Sequence, residues 1–211
     1  MAADPGAPAV DGLDPGLRAR IAALSDEGWE IWERFDVDVR RNDWHPFVPA
    51  DYERVLEALV AQHGPGLRFL EWGSATGVIT IIADLLGYEA WGIELDPALV
   101  EVARGLASRY GSGARFAAGS FIPSGYRYRP ADGDGRLGTI GHGASAYPEL
   151  GHPLEDFDVV YAYPWGGEEA MMIDLMRAYG GRGARLLLHG GEGVRVYRDG
   201  KPIPREKQPH T

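Results

Sequence analysis

The turn "EWGSATG", residues 71–77, sets a carboxylate two positions before one glycine and a second glycine four residues further on. An apolar run precedes the turn and another follows it, so Glu71 stands where a strand ends and Gly77 where a helix begins. Glycines at such a place let backbone approach a ligand with no Cβ in the way, and a helix start offers unpaired N–H donors. A pyrophosphate site would want G-x-G-x-x-G here. The spacing is instead G-x-x-x-G, and a carboxylate at Glu71 would repel a phosphate while welcoming a cation. The turn therefore suits a nucleoside with a cationic or amino-acid end. Elsewhere, Tyr163 in "AYPW" could orient a nucleophile, and Trp165 could wall a site or offer a cation–π face. His45 in "WHPF" titrates near neutrality and could act as a general base.

Regular elements must position these residues. From Asp14 the chain reads as a helix with Pro15 at its first position, broken near Gly28. "NDWHPFVPA" is a connecting loop, because two prolines so close forbid helix. "ADYERVLEALVAQHG" is a second helix, with Tyr52, Val55, Leu56, Leu59 and Val60 on one face. From "LRFLEW" onward, apolar strands alternate with helices as far as "ARLLLHG". Such alternation implies crossover connections and a doubly wound, mostly parallel α/β sheet, and the near-continuous apolar strands fit burial on both faces. Residues 122–156 interrupt the pattern with a stretch rich in Gly, Tyr, Pro and His that reads as an insertion or lid. "GVRVYRDGKPI" reads as a small hairpin about Asp199-Gly200. The expected organisation is a disordered lead at 1–12, a single domain at 13–199 with a helical cap at 13–48, and a tail at 200–211.

With these elements in place, "FLEWGSATG" resembles the first motif of the class I S-adenosylmethionine-dependent methyltransferases, acidic-x-Gly-x-x-x-Gly. "AWGIELDPALVEVAR" resembles that family's second motif, whose acidic residue ends the second strand; Glu94 holds the place, 23 positions after Glu71. "ARFAAGSF" resembles the third motif and "FDVVYAYPWGG" the fourth. The resemblance implies a Rossmann-like fold and S-adenosyl-L-methionine as the bound cofactor. It implies that Glu71, Gly73, Ser74, Ala75, Thr76 and Gly77 shape the methionine side. Glu94 would take the ribose hydroxyls with Leu95 beside it, and Gly119, Ser120 and Phe121 would flank the adenine, with Ala162 at the fourth motif. Two positions depart from the family pattern. Ser120 stands where an Asp is usual, which puts the adenine amino contact in doubt. Ala162-Tyr163-Pro164-Trp165 lacks the polar first residue of the D/N-P-P-Y/W loop of amine-directed members, so an amine acceptor does not follow. Tyr163 and His45 are the candidate catalytic residues.

Composition narrows the alternatives. The chain has 211 residues, 45% hydrophobic, long enough to bury a core as one domain. It has no Cys, which removes disulfides, thiolate nucleophiles and thiolate metal sites. No metal signature emerges, because His142 and His152 lie apart and Asp156 with Asp158 form no acidic cluster. Thirty-one acidic residues against 21 basic give a net charge of −10, which disfavours duplex nucleic acid or an anionic membrane as a partner held by charge. Neither a membrane span nor a secretory leader is legible, so a cytoplasmic location is expected. The reading is a methyltransferase that aligns an unidentified small-molecule or side-chain acceptor in a capped pocket. Its rivals are a non-catalytic adenosyl-cofactor-binding module and an NAD-dependent oxidoreductase.

Overall fold

A computed structural model describes residues 10–39, 48–127 and 143–204. The apolar runs become strands: β1 (Arg68–Trp72), β2 (Glu89–Glu94), β3 (Arg115–Ala118), β4 (Val159–Ala162), β5 (Arg185–Gly190), β6 (Gly193–Arg198) and β7 (Lys201–Pro202). They form one sheet in the order β3-β2-β1-β4-β5-β6-β7. The first five run parallel, and β6 and β7 return antiparallel. The strand order reverses between β1 and β4, so a crevice opens beyond their carboxyl ends, the usual ligand position in such sheets.

Six helices cover the sheet among the described residues: α1 (Pro15–Val39), α2 (Tyr52–Gln62), α3 (Val78–Leu85), α4 (Pro97–Arg109), α5 (Tyr147–Leu150) and α6 (Glu169–Tyr179). Helices α1 to α4 pack on one face with Phe69, Val159, Tyr161 and Leu187, while α5 and α6 pack on the other with Leu70, Val160, Leu186 and Leu188. Side chains alternate between faces along a strand. Glu71 therefore shares the face of Phe69, and His189 the face of Leu187, so both look toward the α1–α3 side.

Two expectations need adjusting. Helix α1 runs unbroken through Gly28. A Cβ there would lie 2.7 Å from Val78 Cγ2 and 3.2 Å from Tyr52 Oη, so the glycine marks close helix packing and not a break. The hairpin about Asp199-Gly200 forms, with both residues at positive φ, and β7 pairs with β6 as far as Pro202. Part of the expected tail is therefore the sheet edge. Trp44, His45, Phe47, Tyr128, Arg129, Arg136 and His142 lie outside the described residues.

Candidate functional site

The turn after β1 is fastened to β2. The N–H groups of Gly73 and Ser74 both donate to the carbonyl of Ile93, each at 2.9 Å. Gly73, Ala75 and Gly77 all take positive φ, at 72°, 44° and 79°. Gly73 leaves open space where a Cβ would stand, so backbone there is available to a ligand. Gly77 does different work. A Cβ on it would meet Phe116 at 2.7 Å and Ala103 at 2.8 Å, so its bareness seats the start of α3 against the core. Thr76 is buried, and so is Ser74, whose Oγ has no hydrogen-bond partner. Ser74 packs over Gly92 of β2, where a Cβ would approach it to 2.7 Å.

Glu71 is not a free charge beside the turn. Its Oε2 accepts from Thr80 N at 2.9 Å and from Thr80 Oγ1 at 2.5 Å, which turns the carboxyl back toward α3. Burial raises its pKa to about 8, against the two Thr80 bonds that lower it. The group is thus largely protonated at neutral pH. The expected attraction for a cation is weakened, because the low-dielectric site disfavours the anion. Burial likewise raises the hydroxyl pKa values of Tyr52 and Tyr161, with Glu71 a smaller contributor to each.

Glu94 ends β2 with its carboxylate in a fixed pose. Oε2 accepts from Ala75 N at 2.9 Å and Oε1 from Asp96 N at 3.0 Å. Burial raises its pKa, opposed by backbone N–H groups of Asp96, Ala75 and Leu95. Each oxygen of a carboxylate keeps a second lone pair. A pair of acceptors at fixed spacing suits a vicinal diol, so the donor-acceptor set fits a ribose. The open approach at Gly73 and the orphaned Ser74 hydroxyl fit a polar ligand lying across the turn. Asp96, the alternative ribose ligand, caps α4 by accepting from Ala98 N at 2.8 Å.

At the end of β3 the chain partly fills its own crevice. Ser120 N donates to Ala144 O at 2.8 Å, and Ala146 N to Ser120 O at 2.9 Å. Gly119 permits this approach, since a Cβ on it would lie 2.7 Å from Ala144 O. Gly143 comes within 3.5 Å of Leu95 by the same measure. Ser120 Oγ accepts locally, from Ile122 N at 3.1 Å. Phe121 stacks on Trp72, with ring centroids 5.1 Å apart and planes 16° apart. The expected partner of that ring was an adenine; the indole takes a face of it because both side chains are buried in the second core cluster. Trp72 Nε1 in turn donates to Tyr147 Oη at 3.0 Å, tying the returning segment to β1.

Over β4 and β5 the structure assembles a group that sequence reading passed over. Ala162 is fully buried, whereas Tyr163 is 41% exposed. The Tyr163 ring lies 4.5 Å from that of His189, and Tyr161 Oη lies 3.1 Å from His189 Nδ1. Only the histidine in "LLLHG", at the carboxyl end of a parallel strand, signalled this in the sequence. Gly92 was missed as well, because its task of making room for Ser74 is set by a residue 18 positions away. Glu168 caps the turn before α6 by accepting from Trp165 N at 2.9 Å, and Glu169 binds Arg195 and Tyr197. Among the described residues, no cluster of three His, Asp or Glu side chains is placed to hold a metal.

No family model matches the chain. It is 31% identical over 111 residues to a ribosomal protein L11 methyltransferase of Thermus thermophilus, covering 51% of this chain and 43% of that protein. The chain thus spans less than half the length of this curated relative. Among solved structures, an RNA methyltransferase from Salinibacter ruber in complex with S-adenosyl-L-homocysteine superposes with a TM-score of 0.51 at 19% identity. That match covers 77% of this chain and 98% of the other, and it is a likeness of fold. The chain is thus similar in sequence, over half its length, to one methyltransferase and in fold to another, with the turn sewn to an acidic strand end in a Rossmann-like sheet.

Proposed function

We propose that the protein binds S-adenosyl-L-methionine across the carboxyl ends of β1 and β2 and transfers its methyl group to an acceptor over the ends of β4 and β5. The observation that carries this is Glu94. Its carboxylate is oriented by the Ala75 N–H, so the ribose ligand and the glycine turn form one rigid unit. Gly73 and Ser74 line the methionine side with Ala75, Thr76 and Gly77 as the turn's frame, and Glu71 supports the turn from beneath through Thr80. Leu95, Gly119 and Ser120 border the adenine side.

The donor supplies an activated methyl group, so the protein need supply only alignment and exclusion of water. The curated relative acts, by its name, on a ribosomal protein, which puts protein side chains first in an acceptor screen. Small-molecule acceptors follow. A cytoplasmic place of work belongs to the same reading, and no helix among the described residues is long and apolar enough to cross a membrane. The domain limits, from residue 13 through the β7 edge at Pro202 with the caps at 13–48 and 122–156, are part of the proposal.

The test is calorimetric titration with S-adenosylhomocysteine, with NAD as a control. Glu94→Ala should weaken binding by about 1–3 kcal/mol, the scale of losing charged hydrogen bonds, or roughly 5- to 150-fold. NAD binding without S-adenosylhomocysteine binding would refute the reading. So would full affinity in a folded Glu94→Ala protein.

A further inference from the structure

We propose that His189 presents Nε2 at the β4–β5 edge as the proton acceptor for the methyl-accepting atom, with Tyr161 holding the ring and Tyr163 walling the subsite. This rests on the methyltransferase reading and deepens it by placing the acceptor. The residue is 6% exposed. Nδ1 faces Tyr161 Oη at 3.1 Å, and Tyr163 covers the ring at 4.5 Å between centroids. Nε2 has no hydrogen-bond partner among the described residues, and it is absent from the fully buried unpartnered atoms, where Ser74 Oγ is found. Nε2 is thus the ring nitrogen left open to a further partner.

Position gives this exposure a meaning. Glu71 pairs in register with Tyr161, and Tyr161 with Leu187, on three neighbouring strands. His189 lies two residues beyond Leu187 on the same face, level with Tyr163, two residues beyond Tyr161. The row beneath carries Glu71, and the glycine turn begins at Gly73, one residue past the Trp72–Ala162 pair. The row above it, on the side away from β2, is the imidazole and the phenol.

The chemistry follows from a group that stays neutral. Burial lowers the His189 pKa from its ordinary value, so the ring is a base at neutral pH. Asp51 of α2 raises it and Arg54 of the same helix lowers it, each less than burial does. Among the described residues, Tyr161, Tyr163, Tyr52 of α2 and, behind them, Glu71 are the other titratable groups on this side, and β6 places Val194 opposite His189. A hydroxyl can accept from Nδ1–H as well as donate to Nδ1. The Tyr161 hydroxyl therefore accommodates the tautomer with its proton on Nδ1, which leaves the Nε2 lone pair outward. In the transfer, the acceptor's lone pair forms the new bond to the methyl carbon. The methyl–sulfur bond breaks with its electrons going to sulfur, and the acceptor's proton passes to Nε2. The acceptor class is a nucleophile that carries a proton to give up, an amine or a hydroxyl.

The test needs no identified acceptor. In sinefungin a carbon replaces the sulfur of S-adenosylhomocysteine and carries a primary amine, an ammonium at neutral pH, at the place of the transferred methyl. Both are titrated into wild type and His189→Asn, whose amide can still reach Tyr161 but has no counterpart of Nε2. Sinefungin should lose about tenfold or more in the variant, while S-adenosylhomocysteine changes by no more than about twofold. In wild type, the sinefungin advantage should shrink as pH falls below the ordinary imidazole value and the imidazolium forms and repels the ammonium, and in the variant it should stay flat. The wild-type pH profile stands even where the variant fails to fold. Equal losses for both ligands, or a flat wild-type ratio, would overturn the assignment. If wild type binds neither ligand but stays folded, the donor-site reading fails first and takes this one with it.

Discussion

Replacing Glu71 by Gln should remove a pH dependence from the protein's stability. In the folded chain burial holds the carboxyl at a pKa of about 8, against an ordinary value of 4.5. The folded state thus keeps a proton that the unfolded state has released at every pH between those values. Stability must fall as pH rises across that window. The contribution is whole below about pH 4.5 and is lost as pH climbs through about 8. With 1.36 kcal/mol per pKa unit, wild type should lose roughly 3 kcal/mol from this group between about pH 5.5 and 8.5. Glutamine cannot titrate, yet it can still accept from Thr80 N and Oγ1. The other groups titrate in both proteins and cancel in the difference, apart from the Glu71–Glu94 repulsion, the smallest of the causes acting on Glu71. Urea unfolding across that pH range, wild type minus Glu71→Gln, measures the term. A flat difference would refute the reasoning. A difference that rises with pH would mean that the Thr80 bonds outweigh burial and that the anion is the native form.

Two further substitutions test packing at the site. Gly77→Ala combines a positive φ with a Cβ that would meet Phe116 and Ala103, so it should destabilise by about 2–4 kcal/mol in chemical denaturation. Trp72→Phe leaves the buried Tyr147 hydroxyl without its donor and should cost about 1–3 kcal/mol. Adding Tyr147→Phe to that variant should recover part of the loss, because the orphaned polar group is then gone.

The sequence by itself determined the architecture. Apolar strands alternating with helices specify a parallel sheet because period and connection length leave few other packings, and the observed strands follow those runs within a few residues. The turn and its two acids were equally legible, since strand, glycine and helix start are adjacent in the chain. What those side chains do there depended on distant partners. Glu71 and Glu94 lie near the carboxyl ends of neighbouring strands, two register positions apart, yet one is buried against Thr80 and the other faces the turn through the Ala75 N–H. Gly28 and Gly77 read as a helix break and a ligand cradle. Their bareness serves close packing against Val78 and Phe116, which no local pattern announces. Phe121 found Trp72, 49 positions earlier in the chain, and His189 acquired meaning only when β5 laid it beside Tyr161 and Tyr163. Periodicity is a property of neighbours along the chain and survives in one dimension. Burial, tautomer and proton affinity are set by groups that meet across strands, and only the folded sheet brings them together.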